Sequence, residues 1–254
     1  YLRQGALGNV RALFISAMIF CIVSIYQLKD DYSFRQFDLN KLKKSLSFSI
    51  PLVPHMLSGW ILTSVDRIFL NLYLGLSSVG LYSLGYKISN VMNVILFSIN
   101  QAWIPFFMST AEKGGEQAKD IFARLTTYYL AVVCFAALSI SIPAQEIIQV
   151  ITTADYHQAY QVVPIITFGW VLNGMYFMVV NQIFYVKKTK YLPLATFSSG
   201  IIQLLLNYLW IPSFGMVGSA WAMFTAQLWS FLITWFISFR VYPMHFEYKL
   251  IVRI

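Results

Sequence analysis

Polar and apolar positions along this chain segregate on the scale of whole helices. Seven long apolar stretches, each close to or above the roughly 20 residues a helix needs to cross a hydrocarbon core of about 30 Å, alternate with shorter polar segments. The pattern predicts helices over residues 10–28, 46–74, 79–109, 125–142, 162–186, 191–211 and 217–239. The fold class that follows is all-α: a polytopic membrane bundle of about seven transmembrane helices. Pro51, Pro54, Pro105, Pro164 and Pro193 fall inside or at the start of these spans, where neighbouring helices satisfy the backbone groups a proline frees, so they predict kinks and not ends.

Composition agrees with the pattern. Of 254 residues, 58% are hydrophobic and 17% aromatic, and only 11% are charged, against about a quarter in a soluble domain. The net charge of +8 could suggest nucleic acid or acidic lipid, but its placement has a simpler reading. Fourteen of the 18 Lys and Arg residues sit in the segments after the first, third and fifth spans and in the tail, from Lys29 to Lys44, Lys113 to Arg124, Lys187 to Lys190, and at Arg240, Lys249 and Arg253. Cytoplasmic segments carry the cation excess, so the amino end is expected outside and the carboxyl end in the cytoplasm. Topology is thus the first reading of the basic loops and anionic-lipid contact the second; nucleic acid is not an expected partner. The chain begins at Tyr1 without a charged leader or cleavage signal, which predicts a piece of a longer protein. Cys21 and Cys134 lie within apolar spans and suggest neither a metal site nor a disulfide.

Two spans carry candidate chemistry. In the third, Tyr82, Tyr86, Asn90, Asn93, Asn100 and Gln101 fall within about 60° of Tyr86 on a helical projection, with Lys87 at the edge. Such a stripe faces other helices or a watery cavity, and both readings stand open. In the second span His55, Thr63 and Asp66 share a face, with Arg67 beside them. Adjacent residues on a helix point about 100° apart, so Asp66 and Arg67 do not form a local ion pair. Among ionisable groups in the spans, His55 and Lys87 are the candidate partners of Asp66. With Arg67 and Lys87 against one acid, the interior favours an anionic ligand, and a guanidinium fork suits phosphate. The alternative is that Arg67 anchors its helix by reaching to the interface. Asp66 and His55 are candidates for ion coupling. The sequence holds no Walker loop, HExxH pair or GxSxG elbow, so neither a metal nor a cofactor is expected, nor an enzymatic activity. Asp155 and His157 in the external segment lack a nucleophile beside them.

The run from Ser47 to Phe107, with "PLVPHMLSGW", the Asp66-Arg67 pair, "LGLSSVGLYSLGYKI" and "QAWIPF", resembles the start of the second half of bacterial O-antigen-type polysaccharide flippases. "NQIFYVKKTKYL" and "IPSFGMVGSAWA" are similar to later helix junctions of that family, which belongs to the multidrug, oligosaccharidyl-lipid and polysaccharide exporter superfamily. The resemblance implies helices six to twelve of a twelve-helix transporter. Residues 1–45 would then hold the last helix of a preceding bundle and a basic linker, 46–240 the second six-helix bundle, and 241–254 a cytoplasmic tail. It also implies translocation of a polyprenyl-diphosphate-linked oligosaccharide across the bacterial inner membrane, among membrane lipids, with a polysaccharide polymerase and chain-length machinery as further partners. Arg67 and Lys87 would meet the diphosphate, and the polar stripe the sugars. Competing expectations are a drug or cation antiporter of the same superfamily, a membrane-embedded polymerase or glycosyltransferase, and a truncated remnant without transport.

Overall fold

A computed structural model describes residues 5–28, 38–50, 53–188 and 192–241, which contain helices and no strand. Residues 29–37, Lys190, Tyr191 and the tail cations Lys249 and Arg253, all named in the topology argument, lie outside the described residues. The chain divides into two compact units, Tyr1–Pro51 and Leu52–Ile254.

The first unit holds α1, Gly5–Leu28, and α2, Leu39–Ser49. α1 contains an apolar stretch, Val10–Gln27, long enough to span. α2 is basic and amphipathic, and it starts where the Asp38 carboxylate accepts the Asn40 backbone N–H at 2.8 Å, an N-cap that satisfies an orphan donor. The predicted span 46–74 is shared between α2, which ends at Ser49, and the next helix, which begins at Val53.

The second unit runs α3, Val53–Leu74; α4, Leu76–Lys113; α5, Gly115–Ser141; α6, Ala144–Ile151; a 3-10 helix, Ala154–Val162; α7, Val163–Tyr185; and α8, Leu192–Val241. α3 and α4 meet at the single residue Gly75, whose φ of +82° turns the chain at no steric cost. α4 has 38 residues, about 57 Å of helix, so it outruns a hydrocarbon core and passes through Pro105 unbroken. α5 begins ten residues before the predicted span. The segment Glu116 to Lys119 reads as loop by polarity, yet Glu, Gln, Ala and Lys are strong helix formers and only Gly114 and Gly115 separate it from α4.

α8 is continuous by hydrogen bonding except at Gly215, where φ is +59° and ψ −139°. The chain reverses there. A Cβ on Gly218 would stand 2.6 Å from the Trp210 carbonyl oxygen, and beyond the turn the Trp229 indole N–H donates to Ser198 Oγ at 3.1 Å. α8 thus supplies two antiparallel arms, 192–214 and 216–241, as the predicted helices 191–211 and 217–239 require.

Five helices among the described residues are long and apolar enough to cross a membrane, one of them the 50-residue α8 with its two arms. α3 is not among them, although its 22 residues suffice in length. The protein is a multi-pass, all-helical membrane bundle. Its largest core joins α3, α4, α5, α7 and α8 through Leu70, Tyr82, Leu96, Val133, Trp170 and Met223. A second, aromatic core stacks Phe107 on Phe122 at 4.5 Å between α4 and α5, beside Trp103. The predicted external loop is folded: α6 and the 3-10 helix bury Ala144, Ile148 and Ala159 against α4 and α7.

The contact between α4 and the 3-10 helix turns on Gly85. A Cβ there would lie 2.4 Å from Val162 Cγ2 and 2.7 Å from the Ala159 carbonyl oxygen, whereas at Gly80 the nearest atom is 3.6 Å away, on Tyr156. Gly85→Ala is expected to lower the thermal midpoint of the detergent-solubilised protein by several degrees, overpacking of this kind costing about 1–3 kcal/mol. Gly80→Ala should leave it unchanged or raise it slightly; equal effects at both positions would contradict the close approach.

Candidate functional site

Asp66 is wholly inaccessible, and three side chains account for it. The Tyr82 hydroxyl of α4 donates to Oδ2 at 2.7 Å, while Gln203 Nε2 and Asn207 Nδ2 of α8 donate to Oδ1 at 2.8 and 2.7 Å. Gln203 and Asn207 stand four apart on one arm of α8, so their amides lie one turn above the other and reach the same oxygen. Tyr82 is brought opposite Asp66 by the reversal at Gly75. Ionised carboxylate oxygens only accept, and each of these contacts is a donor, so the cage matches a carboxylate. A lone buried charge is costly unless its lone pairs are filled in this way. Among the described residues the hydrogen-bond partners of Asp66 are neutral: Lys87, expected as one partner, is exposed on α4, and the side chain of His55, the other, lies outside the described residues.

Arg67, one position on, points elsewhere. Its Nε–H donates to Ser83 Oγ at 3.2 Å, and its Cζ lies 4.5 Å from the centroid of the Tyr86 ring. That distance is within the range of a cation–π contact. The ring is braced by Trp170 of α7, edge-on at 6.0 Å, and by Tyr82 at 6.3 Å. Arg67 remains half-buried, so its helix neighbour is sealed in protein while it keeps accessible surface.

The predicted stripe of α4 divides along its length. Tyr82 belongs to the core with Asp66, and Tyr86 is the platform under Arg67. Asn90 and Asn93 are half-buried, with Asn93 Nδ2 donating to Asn90 Oδ1 at 3.2 Å. Asn100 is half-buried with its Oδ1 enclosed and lacking a hydrogen-bond partner, and Gln101 is exposed. Tyr82 and Asn100 stand 18 positions apart, about 27 Å along the helix, a length comparable to a bilayer's hydrocarbon depth. The structure brings Arg67, Tyr86 and Tyr82 together; Lys87 and Gln101 are not part of that cluster.

Sequence reasoning missed the α8 side of the site. Gln203 and Asn207 are a polar pair at helical spacing inside an apolar span, which is a readable signal of a buried face. Further buried polar contacts continue along α7 and α8: Asn173 Nδ2 donates to Gln227 Oε1 at 3.4 Å, and the Ser238 hydroxyl donates to Gln182 Oε1. Among the described residues no group of three or more His, Cys, Asp or Glu side chains is gathered for a metal.

Residues 5–111 match the family model described as polysaccharide biosynthesis protein. Among curated proteins, the chain is 22% identical over 229 residues to a protein of the Lsg locus of Haemophilus influenzae, covering 83% of this chain and 55% of that protein. It is 23% identical over 159 residues to an uncharacterized membrane protein of the same organism, covering 63% of this chain and 39% of the relative. The chain therefore spans about half the length of these relatives. No solved structure matches it significantly.

The cage around Asp66 predicts energetic coupling. Tyr82→Phe, which removes one donor, is expected to cost about 1 kcal/mol of stability in detergent, and Asn207→Leu at least as much. In an Asp66→Asn background the Tyr82→Phe cost should change by about 0.5 kcal/mol or more, because residues that share a network do not add. Additive costs in the double variant would mean the contact carries no energy.

Proposed function

We propose that this chain, whose residues 5–111 match the family model described as polysaccharide biosynthesis protein, is the carboxyl-terminal part of a transporter that flips a polyprenyl-diphosphate-linked oligosaccharide across the bacterial cytoplasmic membrane. The observation that carries this reading is Arg67, half-buried within α3 and laid on the Tyr86 ring. A cation kept within a membrane span is costly and is characteristically turned toward a pathway and not toward lipid. Guanidinium is the side chain that meets phosphate oxygens with a planar fork, and the ring beneath fixes its orientation.

In this reading Arg67 receives the diphosphate, with Lys87 as a second cation nearer the surface. Tyr86, Asn90, Asn93, Asn100 and Gln101 offer hydroxyl and amide groups to the sugars. The polyprenyl tail stays in lipid throughout. Asp66 and Tyr82, with Gln203 and Asn207, hold α3 against α8 so that Arg67 keeps its aim. Asp66 exposes no surface to a passing ion, which favours the holding task for this residue; His55 stays the other coupling candidate. The amino end of the chain lies outside and the carboxyl end in the cytoplasm, and a polymerase and chain-length machinery take over the delivered repeat unit. The antiporter alternative needs an acid that a cationic drug can reach, and Asp66 exposes no surface.

The test uses the full-length protein in cells, with Arg67→Ala and Arg67→Lys compared with wild type at matched membrane abundance. The readout is the lipid-linked oligosaccharide accessible to an impermeant lectin at the outer face. Arg67→Ala is expected to lower it about tenfold or more, and Arg67→Lys, which keeps charge but loses the fork, to fall between. Unchanged exposure with Arg67→Ala would assign Arg67 to anchoring and remove the basis of this reading.

A further inference from the structure

A second cationic feature lies at the other end of the bundle and plays no part in the Arg67 site. α7 finishes in a Schellman turn: the Lys188 N–H bonds the Ile183 carbonyl at 3.1 Å and the Lys187 N–H bonds the Phe184 carbonyl at 3.0 Å. Lys187 occupies the left-handed position of that turn, φ +57°, where glycine is usual. The turn fixes the backbone of Lys188 instead of leaving it on a loose loop. Opposite stands Arg240, in the last turn of α8, with its Cζ 4.4 Å from the Phe236 ring centroid. Between them is a cavity of about 320 Å³ lined by Lys188, Phe236, Ile237, Arg240 and Val241. That is at the lower end of the range for ligand pockets, about 300–1,000 Å³.

Among the described residues the lining combines two cations with three apolar side chains and includes no carboxylate. Its Ile237 wall is continuous with the core formed by Val180, Ile183 and Leu192. The Tyr185 hydroxyl donates to the Ala111 carbonyl at 3.1 Å, which puts this end of α7 beside the carboxyl end of α4. The cation-rich segments that follow α4 and α7, and the final turn of α8, therefore gather at one end of the bundle. A topology signal needs cations but no pocket. Here a capping turn sets the backbone of one cation and an aromatic ring supports the other, and both line an apolar hollow at the end of two spans.

We propose that this hollow is a binding site for an anionic phosphate ester carried on an apolar chain. The phosphate is shared by Arg240 and Lys188, and the start of the chain lies on Phe236, Ile237 and Val241. Basic pockets between helices at a membrane face bind such headgroups, with each cation near the surface contributing to affinity. Two molecules in such a membrane have this chemistry, an acidic phospholipid and a polyprenyl-phosphate carrier.

The experiment titrates the purified full-length protein in mild neutral detergent with fluorescent short-chain phosphatidylglycerol, using the phosphatidylcholine analogue as reference. Wild type should prefer phosphatidylglycerol by about tenfold or more, and the Lys188→Gln/Arg240→Gln double variant should lose that preference while keeping its thermal midpoint. Arg240→Lys, which retains the charge without the fork or the stacking, should keep part of the preference and guards against misfolding of the double variant. A short polyprenyl diphosphate is then added as competitor: displacement assigns the site to the carrier lipid, and failure to displace assigns it to the bilayer phospholipid. Equal binding of the two phospholipids by wild type would overturn the proposal. So would an undiminished preference in the double variant, or displacement by inorganic phosphate as effective as by the lipid, since a site that ignores the chain is not this one.

Discussion

A carboxylate with no exposed surface, filled by one hydroxyl and two amides from two other helices, sets the arrangement of this bundle. A buried charge left short of partners costs several kcal/mol, so Asp66 can be kept only if Tyr82, Gln203 and Asn207 arrive together. That requirement fixes the register of α3 against α4 and of both against the first arm of α8. Because neighbouring residues on a helix diverge by about 100°, locking Asp66 inward also decides where Arg67 goes: onto Ser83 and Tyr86, with part of its surface accessible. The adjacent acid and base do not neutralise each other locally. One fastens the helix and the other is displayed by it.

Sharp turns make the convergence possible. Gly75 returns α4 alongside α3 so that residues 66 and 82, and 67 and 83, stand opposite, and Gly215 folds α8 so that its two arms pack together. Where helices approach closely, glycines again permit it, as at Gly85 against the 3-10 helix and at Gly174, where a Cβ would strike the Tyr129 hydroxyl at 2.5 Å. In lipid, where burying apolar side chains brings little gain over leaving them among acyl tails, such close contacts and the polar pairs along α7 and α8 are the forces available for holding helices together.

Much of this was legible in the sequence. Hydrophobic runs of spanning length gave the helical bundle, and the turn residues before Val217 gave the division of α8. The boundaries were less legible where local propensity and polarity conflict: Glu116 to Lys119 is polar but helix-forming, and α5 takes it in. The segment between Pro143 and Tyr160 looked like an external loop because none of its apolar runs is long enough to span, yet Ala144, Ile148 and Ala159 dock it. At the site, the stripe of α4 was read as one surface, while the structure sends Tyr82 into the core and Gln101 to the exterior. A helical projection gives angle but not what the neighbouring helices cover. The neutral donors of α8 escaped notice because a search for partners of Asp66 that looks for charges passes over Gln203 and Asn207.

The central claim is that α3 turns one face into sealed protein and an adjacent one toward water. Thiol accessibility measures this directly in the full-length protein, with Cys21 and Cys134 replaced by serine and single cysteines placed at Arg67, Ser83 and the fully buried Leu70. Reaction with a water-soluble thiol reagent needs the thiolate and a path for water. The account predicts labelling at 67 and 83 and protection at 70; protection at 67, or labelling at 70 as fast as at 67, would contradict it.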